Sequence, residues 1–387
     1  MKKLITFLIV TYLLFTINSS TASQDVNDNG KFLKIGILLP LSGEFKETGE
    51  SFLKAIQLAL LDISNENIKI YLKDSKANAL YTYKAAKEFE ENGIKIVIGP
   101  IFYESLERLN EINNITFIAF TNKTEKIPKN TIAFGINIKS QINALKEYID
   151  GIKLSKILLL SPKSQFTDQA KIIGNSEIKF YKNYFYDTNP KKITGEIEKL
   201  TNYSERKKNL IRRIKILKKS DLYKDEKELK ELEQKHTLGN VSFDSVFVID
   251  FGERLKSVLT SFSFSDISSE KMNFFTLNQW FDESLFTERA LQNLHFPSIN
   301  LNNLRKFEKK YFSQYKKKPN KVSILAYDAI GLIYYCWNSN NLKFNSNLLF
   351  RKNGFKGLHG NFTIKGNASS QKLKIYKIFE QNFVKVY

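Results

Sequence analysis

The chain has 387 residues, and its 60 Lys+Arg against 40 Asp+Glu give a formal charge of +20. That length suits two or three folding units, and 42% hydrophobic with 26% charged residues describes a chain that buries a core and is not globally disordered. A single cysteine excludes a disulfide framework and any multi-cysteine zinc or iron–sulfur site, and the scattered His236, His295 and His359 argue against a His-rich metal centre. The cationic excess admits a nucleic-acid or anionic-surface reading. It is mostly Lys beside abundant Asn and Ile, a composition that an AT-biased genome also produces.

The first segment reads as an address. Lys2 and Lys3 precede an apolar run from Leu4 to Ile17, and the small-residue stretch NSSTAS follows. This is the pattern of a cleavable secretory signal over residues 1–23, with cleavage expected after Ala22 or Ser23. The run is shorter than the ~20 residues of a spanning helix. No cysteine follows it, so no amino-terminal lipid anchor is expected. Cys336, inside AYDAIGLIYYCW, reads as a buried structural thiol. The mature protein is expected in the periplasm, with no stable membrane span.

From Phe32 the chain alternates strands and helices. FLKIGILLP (32–40) is a nearly continuous apolar run, as in a strand buried on both faces of a parallel sheet. Phe52, Ile56, Leu60 and Ile63 then recur at helical spacing, with Ser42, Thr48 or Ser51 as candidate N-caps. IKIYLKD (68–74) is the next strand. Tyr83, Ala86 and Phe89 mark a second helix stopped by Gly93. IKIVIGP (94–100), a short Glu- and Leu-rich helix, ITFIAF (115–120) and TIAFGI (131–136) continue the rhythm. A second run comprises SKILLLSP (155–162), EIKFYKNYFY (177–186), FDSVFVIDFG (243–252) and MNFFTLNQW (272–280). Strand, helix, strand at this spacing predicts doubly wound parallel sheets in two Rossmann-like α/β lobes with a cleft between them.

Residues 193–236 differ in character. SERKKNLIRRIKILKK is strongly basic and SDLYKDEKELKELEQK leans acidic. Leu210, Ile214 and Leu217, then Leu222, Leu229 and Leu232, recur at helical spacing, which predicts a charged helical hairpin with Ser220 and Asp221 near its turn. One reading is a solvated hairpin laced with ion pairs; the other is a docking surface for an acidic partner or an anionic envelope polymer.

Catalytic patterns are missing: GxSxG, HExxH, the Walker loop and GxGxxG do not occur. Asp62, Asp74 and Asp250 end predicted elements, where carboxylates usually satisfy loop amides or helix starts. Asp328 is expected to orient packing or cap a neighbouring loop, and His295 and His359 to lie in loops. Aromatic content is 13%, yet no basic–aromatic alternation of the RNA-binding kind appears. No enzyme activity, cofactor, metal or catalytic residue is assigned. An expected export removes the nucleic-acid partner.

The loops and their order resemble a known family. KIGILLPLSGEFKETGESFLKAIQLAL, IKIVIGPIFYESLERL and ITFIAFTNKT resemble the amino-terminal lobe of type I periplasmic binding proteins of the leucine/isoleucine/valine class, and FEKKYFSQYKKKPNKVSILAYDAIGLI resembles that class's late helix pair. The GPIF loop, the charged hairpin closing in HTLGNVSFDSVFVIDFGERL and the ending NGFKGLHGNFTI resemble the penicillin-binding protein activators within it. The resemblance implies a first lobe of residues 32–150 and about 322–340. It implies a second of 151–321 and about 341–387, with the hairpin inserted at about 193–236.

It implies a non-catalytic exported binding protein that regulates peptidoglycan synthesis by contact with a synthase. The alternative is a solute receptor that delivers an amino acid or amide to an ABC permease. By match to the class's loops, Ser105 and Thr121 are the candidate ligand hydroxyls. The amides of Ser42 and Gly43 would hold a carboxylate, and Asp250 or Glu253 would answer an ammonium. Tyr103, Asn122, Asn278 and Trp280 lie on the same loops. Phe166 is the candidate in the loop after the second lobe's first strand, where transport members usually present a Tyr-Gly pair and this chain has Gln165-Phe166-Thr167, a departure that weighs against the amino-acid receptor.

Overall fold

The computed structural model describes residues 32–163, 173, 176–220, 223–278, 287–380 and 382–387. Strand β1 (Leu33–Leu39) is buried at every position except Lys34. It pairs in parallel with β2 (Ile68–Asp74) on one side and β3 (Ile96–Ile98) on the other, so its two covered faces explain the continuous apolar run. Helices α1 (Lys46–Ile63) and α2 (Ala79–Glu91) connect these strands. Asn78 caps α2, its Oδ1 accepting from the Leu80 and Tyr81 amides at 2.9 and 3.4 Å, and Gly93 follows its end at φ 70°.

The caps expected for α1 are not used: Phe45 holds the cap position without a side-chain bond, and Thr48 and Ser51 lie inside the helix. What fixes this end is close approach, since a Cβ on Gly49 would lie 1.8 Å from the Pro40 carbonyl oxygen. The helix expected after β3 is two 3-10 turns, Tyr103–Leu106 and Leu109–Glu111. Strands β4 (Thr116–Ala119) and β5 (Thr131–Ala133) extend the parallel sheet.

Helix α3 (Ile138–Gly151) leads to β6 (Ile157–Pro162), β7 (Phe180–Tyr186), β8 (Ser245–Val248), β9 (Asn273–Thr276) and β10 (Leu294–Ser298). Neighbouring strands among these five are all parallel. Helices α4 (Pro190–Leu200) and α7 (Gly252–Phe264) pack on each other. Between them in sequence, α5 (Tyr203–Leu217) and α6 (Tyr223–Glu233) form the expected charged helical pair. Its apolar cluster of Leu210, Leu217 and Leu232 is separate from the main core.

The chain then returns. Helix α9 (Ile324–Asn338) packs along α1, and α8 (Leu301–Tyr315) is tied to α1 through Lys310 to Asp62 and through the Tyr315 hydroxyl, which donates to the Lys54 carbonyl at 3.0 Å. Tyr327 of α9 also donates to Asp62. Strands β11 (Phe355–Lys356), β12 (Asn361–Lys365) and β13 (Ala368–Gln371) join the first sheet, and β14 (Lys374–Phe379) and β15 (Asn382–Lys385) the second. The orders are β11-β12-β13-β5-β4-β3-β1-β2 and β15-β14-β10-β9-β8-β6-β7. One apolar cluster runs continuously through both sheets.

Three boundaries differ from the sequence expectation. Helix α3, expected within 32–150, packs against β10 and β14 of the second sheet. Helix α8, expected within 151–321, lies on α1. Strands β11–β13, expected with 341–387 in the second lobe, pair into the first sheet through β5. Periodicity reports that a segment is a strand or helix but not which sheet receives it. His295 also departs from its expected loop: it sits in β10, paired between β9 and β14.

Candidate functional site

Ligands of open α/β sheets sit beyond the carboxyl ends of the parallel strands, and both sheets present such ends. On the first lobe, Asp74 at the end of β2 accepts from the Leu41 amide at 2.8 Å, from the Ser42 hydroxyl at 2.6 Å and from the Lys76 amide at 2.8 Å. Burial alone would raise this carboxyl, but the three donors outweigh it and hold the group below the ordinary carboxylate range. Ser42 is therefore a strut between the loops after β1 and β2. Gly43 turns the chain at φ 76° before α1, and Phe45 meets Phe102 across the loops with ring centroids 4.4 Å apart.

The loops after β3 and β4 form the rest of this rim. The Tyr103 hydroxyl donates to the Glu125 carbonyl at 3.2 Å, and the Lys123 ammonium lies 4.3 Å from its ring centre. Thr121 is buried, and its hydroxyl oxygen accepts from the Lys123 amide at 3.1 Å. Asn122 is exposed beside it. Ser105 is 1% exposed within the 3-10 turn, and among the described residues its hydroxyl has no hydrogen-bond partner. A cavity of about 330 Å³ opens here, lined among others by Phe102, Tyr103, Thr121, Asn122, Gly135 and Val322. Its volume is at the lower end of small-molecule sites, and its described lining includes no residue of the loops that follow β6, β8 and β9.

On the second lobe, Asp250 follows β8 and is fully buried. It accepts from Arg254 Nε at 3.0 and 3.2 Å, from the Phe251 amide at 2.8 Å and from the Tyr186 hydroxyl. Burial, reinforced by that bond to Asp250, pushes the Tyr186 phenol far up, so it stays protonated and donates. Glu253 is exposed in the first turn of α7, 3.9 Å from Lys256. The Asn278 amide donates to Gln141 Oε1 of α3 at 2.8 Å. Phe166 and Trp280 lie outside the described residues.

Between the rims the chain crosses three times, after β5, after β10 and between β13 and β14. Polar side chains bind these crossings together. Asn137 Nδ2 donates to the Ser369 carbonyl at 2.6 Å, and the Ser140 hydroxyl and Gln371 share two 3.0 Å bonds. Gln371 Nε2 donates onward to the Gly135 carbonyl at 2.9 Å and to the Ser369 hydroxyl at 2.6 Å. A Cβ on Gly135 would lie 2.3 Å from the Thr121 carbonyl oxygen, so only glycine lets the first crossing run against the β4 loop. The Asn300 amide donates to the His359 carbonyl at 3.0 Å. Asp328 accepts from the Leu358 and His359 amides at 2.8 Å each and also pairs with His359 Nδ1. Asp328 thus caps a neighbouring loop, as the sequence led one to expect.

Ser42, Gly43, Tyr103, Thr121 and Asn122 come together on the first rim, and Asp250 and Asn278 lie on the second. Sequence reasoning missed Tyr186, Arg254, Gln141 and the Asn137, Ser140, Ser369 and Gln371 network. Arg254 carried a readable signal, four residues after Asp250 at a helix start. The network carried none, because its two halves, Asn137 with Ser140 and Ser369 with Gln371, are joined by bonds that span 231 and 232 residues. Among the described residues, no group of three or more His, Cys, Asp or Glu side chains could hold a metal ion, and no helix is long and apolar enough to cross a membrane.

No protein-family profile and no curated protein sequence matches the chain. Solved structures do. A putative branched-chain amino acid ABC transporter protein from Rhodospirillum rubrum superposes with a TM-score of 0.66 at 12% identity, covering 92% of this chain and 100% of that one. The C-domain of LpoA (YraM) from Haemophilus influenzae, a regulator of PBP1A, gives 0.62 at 14% identity with coverage of 92% and 100%. The chain spans 59% of full-length LpoA from the same organism. The isoleucine-bound branched-chain amino acid binding protein LivJ from Streptococcus pneumoniae gives 0.54 at 13% identity, again over 92% and 100%. Two mainly parallel sheets, each completed by antiparallel strands from the carboxyl-terminal segment, three crossings between them and these superpositions over nearly the whole described chain agree: the protein has the type I periplasmic binding protein fold.

Proposed function

We propose that this protein is a non-catalytic exported binding protein of the activator type, which regulates peptidoglycan synthesis by touching a synthase of the penicillin-binding protein class. The observation that carries this reading is the internal use of four candidate ligand groups, although the buried Ser105 hydroxyl is not among them. The Ser42 hydroxyl goes to Asp74, the Thr121 hydroxyl to the Lys123 amide, the Tyr103 hydroxyl to Glu125, and Asp250 to Arg254, Tyr186 and the Phe251 amide. A carboxylate neutralised by an arginine from its own helix is a poor counter-ion for a ligand ammonium. The likeness to the LpoA C-domain supports the same reading.

The rival reading is a solute receptor of an ABC importer, closing about its hinge on an amino acid or amide. The 330 Å³ cavity beside Thr121 and Asn122 and the likeness to LivJ favour it. A thermal-shift panel of amino acids and amides separates the two, because a bound solute at 100 times its Kd stabilises by about 2.7 kcal/mol. The activator reading predicts no shift, together with faster glycan polymerisation or cross-linking when the protein is added to a purified synthase from its own host. A saturable shift with one solute and an unchanged synthase rate overturns it.

A further inference from the structure

The α5–α6 pair is rooted rigidly. Arg206 in the first turn of α5 is buried, and its guanidinium donates to the Thr201, Ser265 and Gly239 carbonyls and to the Thr237 hydroxyl. Further along, Arg213 makes two bonds to Glu228 at 2.8 and 2.7 Å, and Lys218 reaches Glu233 at 3.1 Å. Leu210 and Leu217 face inward with Arg206. The acids of α6 thus reach Arg213 on the inward face and Lys218 just past the helix end, and the remaining outer face of α5 is left to solvent.

That face carries Lys207, Lys208, Arg212 and Lys215, all exposed, and Lys219 follows just past the helix end. At ~100° per residue these four helical cations fall within an arc of about 140°. Among the described residues, Arg212, Lys215 and Lys219 meet no acidic partner, and Lys208 has only the exposed Glu205 at 3.6 Å. Ile211 lies inside the same arc at 59% exposure, and Ile216, at 54%, lies about 40° outside it.

We infer that this face of α5 docks on an anionic lipid bilayer, independently of the function proposed above. Three features select a bilayer over an acidic protein surface. The cations are mostly lysines, flexible point charges suited to a diffuse layer of headgroups and not to bidentate pairing with carboxylates. Lysine is depleted in protein–protein interfaces. An exposed isoleucine among the cations, with a second beside their arc, offers apolar side chains to the headgroup boundary while the cations gather anionic lipid.

The test is co-sedimentation of the purified protein with vesicles of phosphatidylcholine containing about 30% phosphatidylglycerol, against pure phosphatidylcholine vesicles. Binding is expected only to the anionic vesicles, weakening as salt rises from ~0.05 to ~0.5 M. Lys208→Glu, Arg212→Glu and Lys215→Glu combined should reduce it at least about tenfold, with an unchanged circular dichroism spectrum. Ile211→Ser should reduce it less. A control with Lys316→Glu, Lys317→Glu and Lys318→Glu, an equal charge change on exposed positions after α8, should retain most of the binding. Equal loss in both triple variants means that overall charge alone is responsible and overturns the proposal. So does equal binding to neutral vesicles, or binding to soluble polyglutamate without binding to vesicles.

Discussion

Arg254 donates its Nε–H to both carboxylate oxygens of Asp250, at 3.0 and 3.2 Å, from one turn into α7. The Asp250 side chain is fully buried and that of Arg254 is 34% exposed, so the pair closes the end of β8 from the inside while the guanidinium keeps an edge in water. With the Tyr186 hydroxyl and the Phe251 amide also directed at Asp250, the second rim is organised around a carboxylate bound by its own lobe.

Removing the guanidinium leaves a buried carboxylate short of its counter-charge, which costs more than an exposed pair contributes. Arg254→Met should destabilise the protein by about 2 kcal/mol, since partial exposure tempers the 3–5 typical of a fully buried pair. Urea denaturation checks this. An unchanged midpoint would show that Asp250 finds its compensation elsewhere.

His295 supplies a pH signature. Burial between β9 and β14, with Lys377 beside it, depresses the imidazole to about 4, although its Nδ1 lies 3.3 Å from the Phe274 carbonyl oxygen. The unfolded chain takes up this proton near pH 6.5 and the folded one only near pH 4. Stability is therefore full above pH 6.5 and falls as pH drops toward 4, by about 3 kcal/mol at most. Asp74, held low, loses its contribution only below about pH 4. His295→Phe should flatten the slope between pH 6.5 and 4.5 in denaturant titrations at stepped pH. A slope as steep as in the parent assigns it to another group.

Gln371 joins the first and third crossings through Ser140 and Gly135. Gln371→Leu removes its side-chain bonds, strands the buried Gly135 carbonyl and takes away the acceptor of the Ser140 hydroxyl. A loss of about 2 kcal/mol is expected, with faster hydrogen exchange at residues 135–141 and 369–372. Exchange unchanged at the hinge would mean that the crossings are held by packing alone.

Arg206 anchors the helical pair to α4 and the end of α7. Burial lowers its guanidinium affinity for protons, offset in part by Asp266 at 3.9 Å. Arg206→Ala takes the guanidinium donors from the Thr201, Gly239 and Ser265 carbonyls at once. Trypsin should then cleave within α5 and α6 at least about tenfold faster, while the two lobes stay resistant. Uniform cleavage of the lobes as well would show that the anchor supports the whole second lobe.

Local pattern carried much of the fold. The continuous apolar runs of β1 and β6 announced strands covered on both faces, Gly93 announced the end of α2, and the repeat of Leu210, Ile214 and Leu217 announced a helix with one apolar stripe. The first rim was legible for the same reason, because Ser42, Thr121 and Tyr103 stand directly after buried strands. Loops in open α/β sheets have to emerge there.

Sequence alone thus settled the alternating element order, the inserted charged pair and the positions of the rim loops, all of which depend on residues a few places apart. Tertiary structure decided the rest. β11–β13 complete the first sheet although they lie in sequence between β10 and β14 of the second, and Ser140 meets Gln371 across 231 residues of chain. It also decided that Asp250 answers Arg254 and Tyr186, and that the Ser42 hydroxyl answers Asp74. A side chain's type fixes which bonds it is able to make. Which bonds it does make depends on the donors that folding brings within 3 Å, and buried polar groups take protein partners wherever folding supplies them.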